Sequence, residues 1–347
     1  MQEANGMHNV LIGQVGARVR GSAHRHDVAA PLPHTGFRHE SFFHAGEHEF
    51  LERTVPFIAE GLASGEPVLV AVSTRRTALL EEALGALAPA VGFADVQKLG
   101  RNPARMIPAW KRFLDERAGT APGARGVDES IWAGRSEEEL GECLRHEALL
   151  NLAFGDSRPW HLLCAYDTDA LEDRVIEAAR RTHPIVEERG VSAASDLYEP
   201  VADPFGGTLP APPRDAMRMA FTILELASVR EAVFDAAASA GLPRARSEDL
   251  VLAVNELATN SVTHGGGGGL LRLWQQEQTL LGEVSDRGHI TAPMAGRLRP
   301  APRQLSGRGL WLVNQVCDLT QIRSSPRGTV VRVSIRVGCA ETHGDPA

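Results

Sequence analysis

The chain has 347 residues, 43% of them apolar, and a formal net charge of −8, which allows two domains of ordinary soluble composition. The acidic balance, with no Lys/Arg cluster interleaved with aromatics, excludes nucleic acid as the principal partner. No apolar run is long enough to span a bilayer and the polar first residues make no signal peptide, so the expectation is a cytoplasmic protein with no membrane contact.

Residues 1–35 lack periodicity and mix Gly, His, Pro and Ala, which reads as a mobile tail. His24, His26 and His34 are irregularly spaced with no partnering Cys, and read as solvated tail rather than a metal tract. From 36 to 202 helix and strand patterns alternate. Residues 49–64, 77–87, 103–117 and 136–151 read as helices, and 67–73 and 160–165 as buried, nearly all-apolar strands. This alternation predicts an α/β domain with a mainly parallel sheet.

Within it, His39-Glu-Ser-Phe-Phe-His-Ala-Gly46, Gly61-Leu-Ala-Ser-Gly-Glu-Pro-Val68, Gly100-Arg-Asn-Pro-Ala-Arg105, His146-Glu147, Cys164-Ala-Tyr-Asp167 and His183-Pro184 resemble the MEDS sensory domain. The resemblance implies a RecA/KaiC-like layout stripped of its phosphate-binding loop, and no Gly-x-x-x-x-Gly-Lys-Ser/Thr occurs in the chain. Candidates for a sensory pocket are polar residues near predicted element ends: His39, Glu40, Glu129, His146, Glu147, Tyr166, Asp167 and His183. Taken singly, each reads first as a buried hydrogen-bonding residue that fixes the fold. His39 and Glu147 could also be metal ligands, without a third ligand at a recognisable spacing.

Pro and Gly density at 203–213 forbids a continuous helix or central strand and predicts a semi-rigid linker between two domains. Beyond it, 219–224 reads as a strand. A long helix follows, for which Ser247 is a plausible N-cap backed by Glu248 and Asp249. Its stretch Glu256-Leu-Ala-Thr-Asn-Ser-Val-Thr-His264 sets Glu256, Asn260 and His264 four residues apart on one face, while Leu250, Val254, Leu257 and Ser261 trace a second, mainly apolar face. Gly265 to Gly269 stop the helix. A strand over 280–286 delivers Asp286 at its end, followed by Gly288. Ser306-Gly-Arg-Gly-Leu310 opens a helix through Val316, and 319–324 and 329–337 form a hairpin about Pro326-Arg-Gly328. Val331, Val333, Ile335 and Val337 share its inward face. Residues 339–347 read as a polar tail. Cys143, Cys164, Cys317 and Cys339 are widely spaced with no Cys-x-x-Cys, which indicates neither a disulfide framework nor a cysteine zinc site; Cys317 reads as core.

In this order, these pieces resemble the GHKL ATPase fold, and within it the small branch of anti-sigma-factor serine/threonine kinases. Glu256 to Gly265 resembles the branch's N box, Asp286-Arg-Gly288 its first glycine box, Gly307-Arg-Gly309 its second, and Leu226-Ala-Ser-Val-Arg230 its first helix. The resemblance covers 214–338 and implies an α+β sandwich binding ATP and Mg²⁺. It makes Asn260 the Mg²⁺ ligand, Glu256 the general base, and Asp286 the reader of the adenine amino group. It lets the base lie against Gly288, and places Gly307, Arg308 and Gly309 at the phosphate end. His264 reads as a helix-terminal residue favoured by the dipole. Ile290 stands where the family's first glycine box carries a second glycine, and 289–306 would be the ATP lid. Almost every basic residue is Arg, with Lys only at 98 and 111, a bias that fits a GC-rich, actinobacterial genome.

The function this implies is an anti-sigma regulatory factor that sequesters a sigma factor and phosphorylates a STAS-type antagonist under control of the first domain, with a homodimer expected from the branch. The alternatives are a non-catalytic regulator that keeps the ATPase fold and acts by sequestration or ligand sensing, and a sensor histidine kinase. No His-Glu-x-x-x-x-Pro phosphoacceptor helix precedes the second domain, which weakens the last.

Overall fold

The computed structural model describes residues 36–117, 119, 121–301 and 307–338. The expected tails at 1–35, with His24, His26 and His34, and at 339–347, with Cys339, lie outside the described residues, as does Ser306.

The first half runs β1 (Phe37–His44), α1 (Gly46–Ala63), β2 (Val68–Val72), α2 (Thr74–Leu84), β3 (Val91–Asp95), α3 (Val96–Leu99), α4 (Met106–Arg117), β4 (Arg125–Asp128), α5 (Glu137–Phe154), β5 (Trp160–Asp167), α6 (Asp173–Thr182), β6 (Ile185–Glu188) and β7 (Val191–Ala194). Its sheet has the order β3-β2-β4-β5-β1-β6-β7 and is parallel except where β7 pairs with β6. Strand residues alternate between two cores. Leu162, Cys164 and Tyr166 of β5 face Trp110, Leu149, Leu150 and Phe154 from α4 and α5, whereas Leu163 and Ala165 face Phe50, Phe57 and Ile58 of α1 and Leu80 of α2.

Local chemistry sets the helix ends. Ser136 and Glu139 form a capping box at the start of α5, so Ser136, the first residue of the predicted helix, is its cap. The helix expected over 77–87 starts three residues earlier on the Ser73 cap and stops at Leu84, because Gly85 turns to φ 53°.

The second half runs β8 (Met217–Thr222), α7 (Leu226–Ser239), α8 (Arg244–His264), β9 (Gly268–Gln276), β10 (Thr279–Asp286), α9 (Arg308–Val316), β11 (Leu319–Ser325) and β12 (Gly328–Arg336). Its sheet is antiparallel, in the order β11-β12-β10-β9-β8. Val331, Val333 and Ile335 are buried against Leu250, Val254 and Leu257 of α8 and Val313 of α9, with Val337 partly buried beside them. Each such side chain contributes about 1.5–3 kcal/mol by leaving water. Both fold classes are those expected: α/β with a mainly parallel sheet, then an α+β sandwich.

A further helix start differs from expectation. Ser247 is not the cap of α8. The helix begins a turn earlier, after Pro243, whose fixed φ suits the entry to a helix, and the buried Ser247 hydroxyl donates to Pro243 O at 3.2 Å. Residues 203–213 hold neither helix nor strand, yet they are pinned: Phe205 is buried in the second core, Ser324 N donates to Phe205 O at 3.1 Å, and Arg332 donates to Pro210 O at 2.7 Å. No helix among the described residues is long and apolar enough to cross a membrane.

Candidate nucleotide site and the buried polar groups of the first domain

The C-terminal turns of α8, the end of β10 and the start of α9 enclose a cavity of about 810 Å³ whose walls include Asn260, His264, Asp286, Gly288, Gly307 and Gly309. That volume is in the range of small-molecule sites. Glu256 stands at the cavity's α9 edge rather than in its wall: a Cβ added to Gly309 would lie 2.8 Å from Glu256 Oε2 and 3.2 Å from Asn260 Nδ2. Only glycine lets the first turn of α9 approach the carboxylate and amide this closely. Gly307, at φ 83°, caps the same helix in the left-handed region, and it lines the cavity together with Gly309.

Asp286 is aimed by two hydrogen bonds. Ser261 Oγ donates to Oδ2 at 2.6 Å and Gly288 N donates to Oδ1 at 2.7 Å; each oxygen keeps a second lone pair for a ligand donor. A Cβ on Gly265 would fall 2.4 Å from Asp286 Cγ, and one on Gly288 would fall 2.9 Å from His264 O, so the end of β10 lies flush against the end of α8. His264 is both the last residue of α8 and part of the cavity wall.

Sequence reasoning missed two members. Ser261, which the helical period sets on the mainly apolar face of α8, lines the cavity and donates to Asp286. Thr329 lines the cavity and donates to Gly288 O at 2.8 Å; nothing in the β12 pattern marks it. Arg308 is exposed, outside the cavity wall, with Nη2 3.5 Å from Ala301 O. Ile290 packs partly buried on the core, its N–H donating to Ser324 Oγ at 2.8 Å.

In the first domain the proposed pocket residues separate into three groups. His39, Glu147 and His183 meet in the interior with Cys164, and the Tyr166 ring sits edge-on to His183 at 5.6 Å. Burial, helped by His183, holds His39 down to about 4. Glu40 points to the opposite side of β1, as strand alternation requires, and accepts from His161 at 2.6 Å and from Arg38 at 2.9 Å. Burial pushes the Glu40 carboxyl up, but these donors outweigh it and leave it below the usual range. Asp167 and Glu129 form a third group around Arg76, which lies 2.8 Å from Asp167 Oδ2 and 3.1 Å from Glu129 Oε1. The His146 ring is fully buried next to Glu147, its pKa pushed down to about 3 by burial.

Residues 38–184 match the model of the MEDS family, the MEthanogen/methylotroph, DcmR Sensory domain, and residues 220–335 match that of the histidine kinase-like ATPase domain. Among solved structures, the RsbU and RsbW domains of Rv1364c from Mycobacterium tuberculosis align at 19% identity over 36% of this chain and 33% of that one, with a TM-score of 0.28; this chain therefore spans about a third of that protein's length. The Acinetobacter baumannii histidine kinase AdeS aligns at 13% identity over 35% and 68% of the two chains, TM-score 0.23. The histidine kinase domain of the E. coli osmosensor EnvZ aligns at 18% over 38% and 94%, TM-score 0.22. No curated protein matches. The chain thus joins a MEDS domain, at 38–184, to a histidine kinase-like ATPase domain, at 220–335.

Proposed function

We propose that the chain is an anti-sigma regulatory factor whose second domain sequesters a sigma factor and, with ATP and Mg²⁺, phosphorylates a serine or threonine of a STAS-domain antagonist, under control of the MEDS domain. The observation that carries this reading is the convergence of Glu256, Asn260, Asp286, Gly288, Gly307 and Gly309 from three separate elements on one cavity edge.

The residues suit the nucleotide. Asp286 offers oriented acceptors for an exocyclic amine, and Gly309 leaves a gap beside Glu256 and Asn260 that any side chain would fill. ATP supplies the phosphoryl group, and Mg²⁺ neutralises charge as it leaves. Asn260 would ligate the ion through its amide oxygen. Glu256 would accept the proton of the attacking hydroxyl, held near the start of α9, whose N–H groups would receive phosphate oxygens.

A serine or threonine acceptor is favoured over a phosphorylated histidine within the chain, because His39 of the His39-Glu40 pair is 1% exposed and in strand β1. A homodimer is supported by apolar exposure beside edge strand β8, where Ile223 is 67% and Leu224 83% exposed. The second reading, sequestration without catalysis, draws on Ile290, which replaces a flexible glycine next to the adenine end.

The test is transfer of labelled phosphate from Mg-ATP to co-purifying partners. Transfer is expected in the wild type and lost in Glu256→Ala and in Asn260→Ala; no transfer to any bound partner, in a chain that still binds sigma factor, overturns the kinase reading. Sequestration alone predicts that Asn260→Ala leaves partner affinity unchanged.

A further inference from the structure

Four side chains from four elements meet inside the MEDS domain: His39 of β1, Glu147 of α5, Cys164 of β5 and His183, the C-cap residue of α6. One ligand-type atom of each lies within 4.8 Å of all the others, and none of the four residues is more than 2% exposed. We propose that these residues form a closed, four-ligand site for a borderline divalent transition metal of the zinc class.

Hydrogen bonds to the Nδ1 atoms aim the two histidine rings. Asn151 Nδ2 donates to Thr182 O at 2.8 Å, which fixes the amide and leaves its Oδ1 as the acceptor 3.0 Å from His39 Nδ1. His183 Nδ1 lies 2.8 Å from Ala179 O, a carbonyl that can only accept. Both Nδ1 atoms must therefore carry their protons, and in the neutral rings both Nε2 lone pairs face inward. They meet the Glu147 carboxylate, with Oε2 3.3 Å from His39 Nε2 and 3.4 Å from His183 Nε2. Three acceptors confront one another in a dry interior. Glu147 Oε2 and His183 Nε2 have no hydrogen-bond partner, a costly arrangement that a shared cation would relieve.

The spacing fits such an ion. Bonds of about 2.0–2.1 Å to nitrogen and oxygen place tetrahedral ligands roughly 3.4 Å apart. Cys164 Sγ lies 3.4 Å from His39 Nε2, close enough for a thiolate at about 2.3 Å from the same centre. A thiolate and a carboxylate together cancel a divalent charge, and the mixed nitrogen, sulfur and oxygen set selects zinc over magnesium or calcium. Nδ1 bonds to an amide oxygen and a backbone carbonyl are how ligating histidines are commonly oriented.

Four protein ligands leave no open position, so the ion would order the domain rather than do chemistry. Its reach extends along α5. The helix that supplies Glu147 also supplies Glu139, 2.6 Å from Arg336, and Glu142, 2.8 Å from Arg323, both on the ATPase domain. Metal occupancy would then set the rigidity of the element joining the two halves.

The experiment is metal analysis of the full chain after exposure to zinc and dialysis, followed by replacement with Co²⁺. About one equivalent of zinc is expected, together with a thiolate-to-cobalt charge-transfer band that Cys164→Ser abolishes and His183→Ala weakens with loss of metal. A folded wild-type chain retaining less than about a tenth of an equivalent overturns the proposal. So does retention of metal unchanged in both variants, which would locate it elsewhere, for instance at His24, His26 and His34. If neither variant folds, the wild-type cobalt spectrum decides: absence of the sulfur band refutes the site. A metal-free chain whose His39 and His183 each carry two ring protons in nitrogen-15 spectra would replace the cation with an ion triad and equally refute it.

Discussion

The Asn102 side-chain amide of the MEDS domain donates to the carbonyl oxygen of Asn314, 3.2 Å away on α9 of the ATPase domain. The same nitrogen lies 3.4 Å from Cys317 O and 3.2 Å from Thr320 Oγ1. Arg105 adds Nε to Asn314 O and Nη2 to Cys317 O, both at 2.9 Å. These donors satisfy carbonyls that the last turn of α9 would otherwise leave orphaned, and Arg105 sets a cation at the negative end of the helix dipole. The N-terminal end of this helix begins at Gly307 and carries Gly309. One short helix therefore links the Asn102 and Arg105 contact to the candidate phosphate end.

Asn102→Ala removes a buried side chain that donates to Thr320 Oγ1 and accepts from Ala104 N, while Arg105 continues to serve Asn314 O and Cys317 O. The expected loss is about 1–3 kcal/mol, read as a lower denaturant midpoint. If α9 transmits between its ends, ATP affinity measured by calorimetry falls several-fold as well. Lost stability with unchanged ATP affinity would show that the C-terminal contact anchors the domain without reaching the nucleotide.

Glu142 of α5 pairs with the segment after β10 that lines the cavity. It is 2% exposed and lies 2.8 Å from Arg323 and 3.9 Å from Arg297, which belongs to the segment after β10. Burial pushes the Arg297 guanidinium pKa down, and Glu142 is the first charge to oppose this. Glu142→Gln removes that charge from a buried arginine cluster, a loss of several kcal/mol for groups so enclosed. Hydrogen exchange is expected to rise over 292–298, where Asn314 Nδ2 now donates to Gly296 O at 2.8 Å, while β9 and β10 keep their protection. Equal loosening of the whole second sheet would contradict a local role.

Two glycines predict opposite balances of stability and activity. In Gly309→Ala the new methyl meets the far end of Glu256, a flexible side chain that can move aside. Stability should change by less than about 1 kcal/mol, while phosphate transfer falls at least about tenfold because the displaced carboxylate is the proposed base. In Gly288→Ala the methyl meets His264 O and the Gly265 backbone, which cannot yield, so the melting temperature itself should drop. Similar stability losses in both variants would remove the distinction.

What the sequence made legible was local. Glu256 and Asn260 share a helix face because the 3.6-residue period dictates it, and Asp286 ends a strand whose apolar alternation is plain. The Ser247 cap failed because Pro243, one turn upstream, was the stronger start signal. The His39, Glu147, Cys164 and His183 group was hidden for a different reason. Parallel pairing of β1 with β5 sets Ser41 opposite Cys164, and crossover helices bring the other ligands, so no short spacing records the meeting. His39 and Glu147 were recognisable singly as candidate ligands; the partners that complete them follow only from topology. The Asn102 contact was likewise unreadable, since a helix C-terminus accepts a donor from any neighbouring surface.

His44 gives a pH dependence with a defined sign. Its Nδ1 lies 3.0 Å from Gly46 O, which takes the ring proton, and its Nε2 accepts from Arg76 Nη1 at 3.0 Å. Burial, then the Arg76 charge, holds its pKa at about 4 against an ordinary 6.5. Asp167 and Glu129 face the same arginine, at 2.8 and 3.1 Å, and Asp167 opposes the shift without reversing it. Between these two values the unfolded chain binds a proton that the folded one refuses. The contribution to stability is thus complete above about pH 6.5 and is lost progressively as pH falls toward 4. In His44→Gln the Arg76 contact can be kept by an amide oxygen that does not titrate. The wild type should lose on the order of 2–3 kcal/mol more than this variant between pH 7 and pH 4, by urea denaturation at each pH. Parallel curves for the two proteins would mean that His44 takes up its proton in the folded state as readily as in the unfolded one, and that Arg76 moves away to allow it.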